Sequence, residues 1–577
     1  MKVLKSSSGQ RSTQRAGFPR RRRGALAAVL LALSFTVTAA AAAPGAAGTP
    51  ERPVVATDHG LVRGRAHDAF ATYEGIPFAA PPTGGLRWRP PQPARPWRGV
   101  REAGEPGPQC LQPPAVGGGP PTGSEDCLHL NVTTPTGPGP LRGRPVMVWL
   151  HGGGFTFGTG SIYHPERLAV RGGAVVVTVN YRLGTLGFFG HPELKNAPPF
   201  GLADQQAALR WVRSNAARFG GDSGNVTLFG VSAGGLSTCA QLVSPTAAGL
   251  FDKAVLQSGS CMTAYPPGAL IPSLPAYRPF VSQRSLRDAG AAAAARLGCP
   301  QGGARTGAST GTGSGTGTGT ATGTGALDCL RGLSAEKLVT PELTAVFNRP
   351  AYGNPLLPME PARALEAGRF HRMPVMQGAN RDEMRMFLGF TLGQYPLRGA
   401  RDYRARLRNS FGAAAGSVEA EYPLSAYPTP ALAWAAVTTD NAWACTTLHA
   451  DRALSRRVPT YAYEFADRTA PVLEGLPDVP GFPYGAAHGF ELPYLFVSPL
   501  TKQPLTDRQR ALANRMVDYW TRFARTGNPN HPGAPAWPAF RSDRTPLAQS
   551  LAPGRHGVEP FDVGQAHHCS FWERHRG

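Results

Sequence analysis

Lysine is scarce in this chain. Only six of its 577 residues are lysine, although Lys and Arg together number 59 against 37 acids. The formal charge of +22 is therefore largely an arginine charge. Eight of the cations, with no acid, fall in residues 1–43, and beyond them no dense basic run is interleaved with aromatics. That pattern speaks against a nucleic-acid partner and leaves a diffuse basic surface, able to attract anionic polymers. Any apolar run long enough to cross a bilayer is also missing after residue 43, so no membrane span is expected. No C-x-x-C pair or His–Cys spacing marks a metal site.

The N-terminus reads as an export signal. Arg20 to Arg23 precede 24-GALAAVLLALSFTVTAAAAA-43. A basic stretch, a short apolar core and an alanine run make a secretory leader over 1–43, with cleavage within 41–47. The core of about 15 apolar residues falls short of the roughly 20 a span needs. The arginine run also permits a twin-arginine route. Residues 44–52 read as a linker and 53–577 as one domain. Eight cysteines in an exported chain should pair: Cys110, Cys127, Cys239, Cys261, Cys299, Cys329, Cys445 and Cys569. Their spacing alone leaves the connectivity open.

Within the domain, strand and helix patterns alternate. Continuous apolar runs at 145–150 and 174–181 predict strands covered on both faces. Shorter strands are expected at 226–229, 252–259, 373–380 and 460–466. Residues 204–220 predict a helix with Leu209, Val212, Ala216 and Phe219 on one face and Gly220 at its C-terminus. A last helix is expected from a Thr506/Gln509 capping box to about Arg525, burying Ala513, Met516, Trp520 and Phe523. The alternation predicts an α/β fold with a mostly parallel sheet and helices on both faces. Residues 302–325, nearly all Gly, Thr, Ala and Ser, have nothing to bury and predict a surface insertion bracketed by Cys299 and Cys329. Asn131 and Asn225 open formal sequons at strand starts, where threonine is common, and carry no further reading.

One stretch concentrates the chemistry. In 226-VTLFGVSAGGLSTCAQL-242, Ser232 follows an apolar run and precedes a helical pattern. Gly230 to Gly234 fit G-x-S-x-G, a strained turn that lifts a serine hydroxyl off the sheet edge. Such a serine needs a base, an acid to orient it and donors for the oxyanion. Upstream, 151-HGGGF-155 offers successive backbone N–H groups, and the N–H of Ala233 adds a third. Downstream, in the order this fold class uses, come Asp382 and Glu383 at the end of an apolar strand, then His488 between small residues.

With these stand 75-GIPFAAPP-82, 125-EDCLHLNV-132, 180-NYRLGTLGF-188, 211-WV-212, 219-FGGD-222, 257-QSGS-260, 378-GANRDE-383, 488-HGFELPY-494 and 519-YWTRFARTGNPN-530. Taken together and in order, they resemble the type-B carboxylesterases, the family of secreted lipases, bacterial para-nitrobenzyl esterases and cholinesterases. The resemblance runs from about Pro53 to the C-terminus and implies an α/β-hydrolase fold. It assigns Ser232 as nucleophile, Glu383 rather than Asp382 as acid, and His488 as base. It places the oxyanion hole on Gly153, Gly154 and Ala233, and makes Ser258 a supporting serine near the acid. It also implies the bonds Cys110–Cys127, Cys299–Cys329 and Cys445–Cys569. Cys239 and Cys261 then remain, and a fourth bond behind the active site is expected between them.

Two departures bear on substrate. The family often carries glutamate just before the nucleophile, where this chain has Val231. The loop 111–126 is short and lacks the aromatic on which cholinesterases stack a cation. The expectation is a secreted serine carboxylesterase on neutral or apolar esters, needing no cofactor or metal. A lipase on longer acylglycerols, an amidase or protease with the same triad, and a non-catalytic binding relative are the alternatives. Acyl-chain length, alcohol and oligomeric state are not encoded in any motif.

Overall fold

A computed structural model describes residues 52–114, 119–299, 325–497 and 501–575. The expected leader (1–43), the linker 44–52 up to its last residue and the insert 302–325 up to Gly325 lie outside that range.

Among the described residues, eleven strands form one sheet: β1 (Arg65–Ala66), β2 (Phe70–Pro77), β3 (His129–Pro135), β4 (Arg144–Leu150), β5 (Val175–Val179), β6 (Gly221–Val231), β7 (Lys253–Gln257), β8 (Val375–Asn380), β9 (Thr460–Phe465), β10 (Leu547–Leu551) and β11 (Pro560–Asp562). Their order is β11-β10-β9-β8-β7-β6-β4-β5-β3-β2-β1. The seven strands from β10 to β5 run parallel. The remaining pairs, at the two edges, are antiparallel. This is the α/β-hydrolase fold.

The apolar runs sit where two-sided burial requires them. In β4, Val146, Val148 and Leu150 enter one core while Met147 and Trp149 enter the other. Strand β6 divides likewise, Val226 and Leu228 against Phe229 and Val231. A period of two with both phases apolar marks a sheet covered on both faces. The first face is covered by α1 (Phe200–Asn215) and α2 (Ala233–Val243). Three further helices are α3 (Met384–Thr391), α4 (Pro430–Thr439) and α5 (Cys445–Ser455), with one π-helical turn, Asp440–Ala444, joining the last two. The second face is covered by α6 (Asp507–Thr526), which buries Ala513, Met516, Trp520 and Phe523 as its periodicity requires. Thr506 and Gln509 form the expected capping box.

Helix α1 begins four residues before its expected start and turns 3-10 at Ala216–Phe219, closing on Gly220 at φ 78°. Asp204, read from sequence as the opening residue, lies inside the helix. Its buried carboxylate instead takes both Arg182 Nε (2.8 Å) and Nη2 (2.6 Å). A long-range ion pair thus uses the acid that local reasoning had assigned to the helix start.

All eight cysteines are bonded, as Cys110–Cys127, Cys239–Cys261, Cys299–Cys329 and Cys445–Cys569. No helix among the described residues is long and apolar enough to cross a membrane.

Candidate active site

The C-terminal ends of the parallel strands gather the candidate groups. Ser232 stands between β6 and α2 with φ 57° and ψ −120°, a conformation costly for any residue with a side chain. Its neighbours make it possible. A Cβ on Gly234 would lie 1.9 Å from Leu150 O, so only glycine lets the helix start pass the end of β4. From Val226 to Ser244 every residue is buried except Ser232, which is partly exposed. The turn therefore presents one hydroxyl and hides the rest.

Gly153 (φ 108°) and Gly154 (φ 61°) lie in the loop after β4, the first partly exposed and the second exposed. A Cβ on Gly153 would meet Phe157 O at 1.9 Å. The backbone N–H groups of Gly153, Gly154 and Ala233 donate to no described residue. His151 beneath them is buried, with Nδ1 2.8 Å from Gly152 O and its ring stacked on Tyr181. Burial lowers its pKa to about 4, so it stays neutral and props the loop.

Glu383 and His488 meet at the end of β8. His488 Nδ1 lies 2.5 Å from Glu383 Oε2, and both side chains are buried. The other oxygen, Oε1, accepts the backbone N–H of Asn380 at 2.7 Å. The imidazole lies against Phe387 of α3 (4.8 Å) and Trp443 of the π-helical turn (4.9 Å). Its Nε2 is buried and has no hydrogen-bond partner among the described residues, and Ser232 Oγ makes none either. A base and a nucleophile awaiting substrate need not be bonded; such contacts tighten in the substrate complex.

The neighbouring acid has another occupation. Asp382 takes Arg468 through two bonds (2.9 and 3.0 Å), Arg385 at 2.8 Å and the backbone N–H of Ala486 at 3.0 Å. It ties the start of α3 to the loop carrying His488, with no oxygen left for the imidazole. Ser258, expected near the acid, is buried at φ 45°, with its N–H on Gly378 O at 2.8 Å. Its hydroxyl bonds no described residue, so it does not bond Glu383.

Three polar residues that sequence reading left without a role complete the site. Asn380 Nδ2 donates to Glu491 Oε2 (2.7 Å) and Ala487 O (2.6 Å). Gln257 Nε2 reaches Glu491 Oε1 at 3.3 Å, and Gln257 Oε1 accepts Trp520 Nε1 at 3.0 Å. Burial raises the Glu491 pKa against the pull of Asn380. All three lie within the quoted motifs, and Gln257 and Asn380 each end an apolar strand, the signal that would have found them.

A partly exposed serine on a strained turn, open N–H donors and a buried acid–imidazole pair follow the C-terminal ends of neighbouring parallel strands, the kinds of group a serine hydrolase needs. The comparisons narrow the class. Residues 51–572 match the model of the Carboxylesterase family. The cocaine esterase of Oryctolagus cuniculus is 32% identical over 558 residues, covering 90% of this chain and 95% of that protein. The para-nitrobenzyl esterase of Bacillus subtilis (strain 168) is 32% identical over 518 residues, covering 85% and 93%. A solved PNB esterase superposes with a TM-score of 0.69 at 29% identity, over 90% of this chain and all of that one. This chain belongs to the type-B carboxylesterase family, and carboxylic ester hydrolysis is its class of activity.

Proposed function

We propose that the protein is a secreted serine esterase acting on neutral or apolar carboxylic esters. The carrying observation is the presence together of a partly exposed, strained Ser232 and a buried His488 whose Nε2 has no partner among the described residues. In this reading Ser232 Oγ attacks the ester carbonyl while His488 Nε2 takes its proton. Glu383 holds the ring through Nδ1 and stabilises it when charged. The carbonyl oxygen becomes an oxyanion on the N–H groups of Gly153, Gly154 and Ala233; losing one such donor typically costs about 3–4 kcal/mol in barrier. The imidazolium protonates the departing alcohol, and an acyl-serine remains. Water then attacks, His488 takes its proton, and return of that proton to Ser232 releases the acid.

The neutral-ester assignment is supported by Val231, which stands just before the nucleophile where the family often carries a glutamate that would favour a cationic substrate, and by the lack of any aromatic in the sequence 111–126. Relatives named for cocaine and para-nitrobenzyl esters share the ester bond and differ in alcohol, so family membership alone does not assign the alcohol. Export is supported by the expected leader and by four disulfides, which persist in oxidising surroundings.

The test is hydrolysis of para-nitrophenyl esters from acetate to palmitate, comparing the wild type with Ser232→Ala. Short- and medium-chain turnover that vanishes in the variant supports the reading. A maximum at the longest chains redirects it to lipase, and no turnover by the folded wild type overturns it.

A further inference from the structure

We infer that the Cys239–Cys261 disulfide is a positioning device for Ser232, holding the loop after β7 against the nucleophile turn. This rests on the esterase reading above. The loop presses directly on the turn. Ser232 N–H is anchored at the end of β7, donating to Gln257 O at 2.9 Å, and Ser232 O accepts Leu236 N–H in the first turn of α2 at 2.8 Å. A Cβ on Gly259 would lie 2.5 Å from Ser232 O and 2.7 Å from both Gly235 Cα and Leu236 N. A Cβ on Gly235 would in turn meet Gln257 O at 2.8 Å. Two backbones without side chains therefore pack face to face, with Ser232 at one end of the contact.

The same contact contains two strained residues. Ser232 (φ 57°) and Ser258 (φ 45°) are both non-glycine residues at positive φ. Such conformations persist where surrounding structure over-determines them. The backbone bonds hold one end of the contact. Cys239, two helical turns along α2 from Ser232, and Cys261, three residues after Ser258, close the other. Both are buried, and their Cα atoms are 5.5 Å apart. Cutting this bond frees the loop to lift from α2, and with it Gly259, whose backbone packs against Ser232 O and Gly235. The hydroxyl then loses its aim, while Phe387 and Trp443, which flank His488 from other elements, stay in place.

The experiment is steady-state hydrolysis of para-nitrophenyl butyrate, with active sites counted by the burst from diethyl para-nitrophenyl phosphate. Cys239→Ala/Cys261→Ala is compared with Cys445→Ala/Cys569→Ala, which removes a bond far along the chain from the turn. Per titrated site, the first pair is expected to lose about 10- to 100-fold in kcat, the scale of a misplacement near 1 Å, with KM little changed. The second pair is expected to lower Tm and keep kcat per site. Cys239→Ala/Cys261→Val restores apolar volume without the bond, should the first pair fold poorly, and is expected to show the same loss. Gly259→Ala keeps the bond but pushes the loop off Ser232, and is expected to reproduce the kcat defect. Unchanged kcat per site in both Cys239/Cys261 variants, or an equal loss in the Cys445/Cys569 control, overturns the inference. Wild-type turnover abolished by Ser232→Ala keeps that outcome separate from failure of the esterase reading.

Discussion

Two buried histidines in this protein each hold a carboxylate through Nδ1, and only one has a free nitrogen. His488 Nδ1 lies 2.5 Å from Glu383, and its Nε2 has no partner among the described residues. His567 Nδ1 lies 2.6 Å from Asp440, and its Nε2 is taken by Glu464, which Arg381 also binds at 2.7 Å. Burial alone would lower the His567 pKa, but the two carboxylates outweigh it and push it up to about 10. Burial likewise raises Asp440, while His567 and Arg381 together outweigh burial and lower Glu464. A histidine closed on both sides stays cationic and joins β9 and the π-helical turn to the segment just before the helix Cys569–Arg574. A histidine open on one side can exchange a proton. The difference lies in the count of partners and not in burial, since both rings are almost fully enclosed.

That contrast can be broken in order of effect. His488→Ala is expected to lower kcat by about 10⁴- to 10⁶-fold, because nucleophile and base act as a unit; steady-state kinetics with burst titration measures it. Glu383→Gln keeps the shape but removes the charge that orients the ring, and should cost up to about 10⁴-fold by analogy with other triads. His567→Gln should leave kcat per titrated site intact and destabilise the fold by about 3–5 kcal/mol, since Asp440 and Glu464 lose their shared cation. A chemical denaturation curve alongside the kinetics distinguishes the two histidines: loss of kcat in a stable His567→Gln protein would erase the contrast.

The pH dependence carries the same distinction. The folded-state pKa of His567 is raised above its ordinary 6.5, so its stabilisation is full below that value and is lost as pH climbs to about 10. Thermal unfolding from pH 7 to 10.5 should show a falling Tm that His567→Gln flattens. The smallest effect expected is local: Thr506→Ala removes the α6 capping box and should cost about 1 kcal/mol without touching kcat.

Much of the fold was legible because it rests on short-range pattern. The runs in β4 and β5 are apolar in both phases, which only a doubly covered sheet accommodates. Helix α6 was readable from cap to C-terminus, since its capping box and apolar stripe are both local. The start of α1 was not: the helix begins at Phe200, and Asp204, inside it, pairs with Arg182, 22 residues away. Ser258 was placed near the acid by resemblance, yet a hydroxyl's partner depends on a rotamer that no motif records. Gln257, Asn380 and Glu491 were visible as letters, but their shared network spans 234 residues.

The sequence by itself determined the strained turn at Ser232, because glycine spacing, strand and helix patterns are properties of contiguous residues, and its ordered motifs carried the resemblance that implied the reaction class. The resemblance named Glu383 over Asp382, but only the tertiary structure supplied the partners that give each charged side chain its occupation. Asp382 and Glu383 are adjacent, yet one is consumed by Arg468, Arg385 and Ala486 while the other reaches an imidazole 105 residues away. A carboxylate's role follows from which donors surround it, and those donors converge only when the strands that carry them lie side by side.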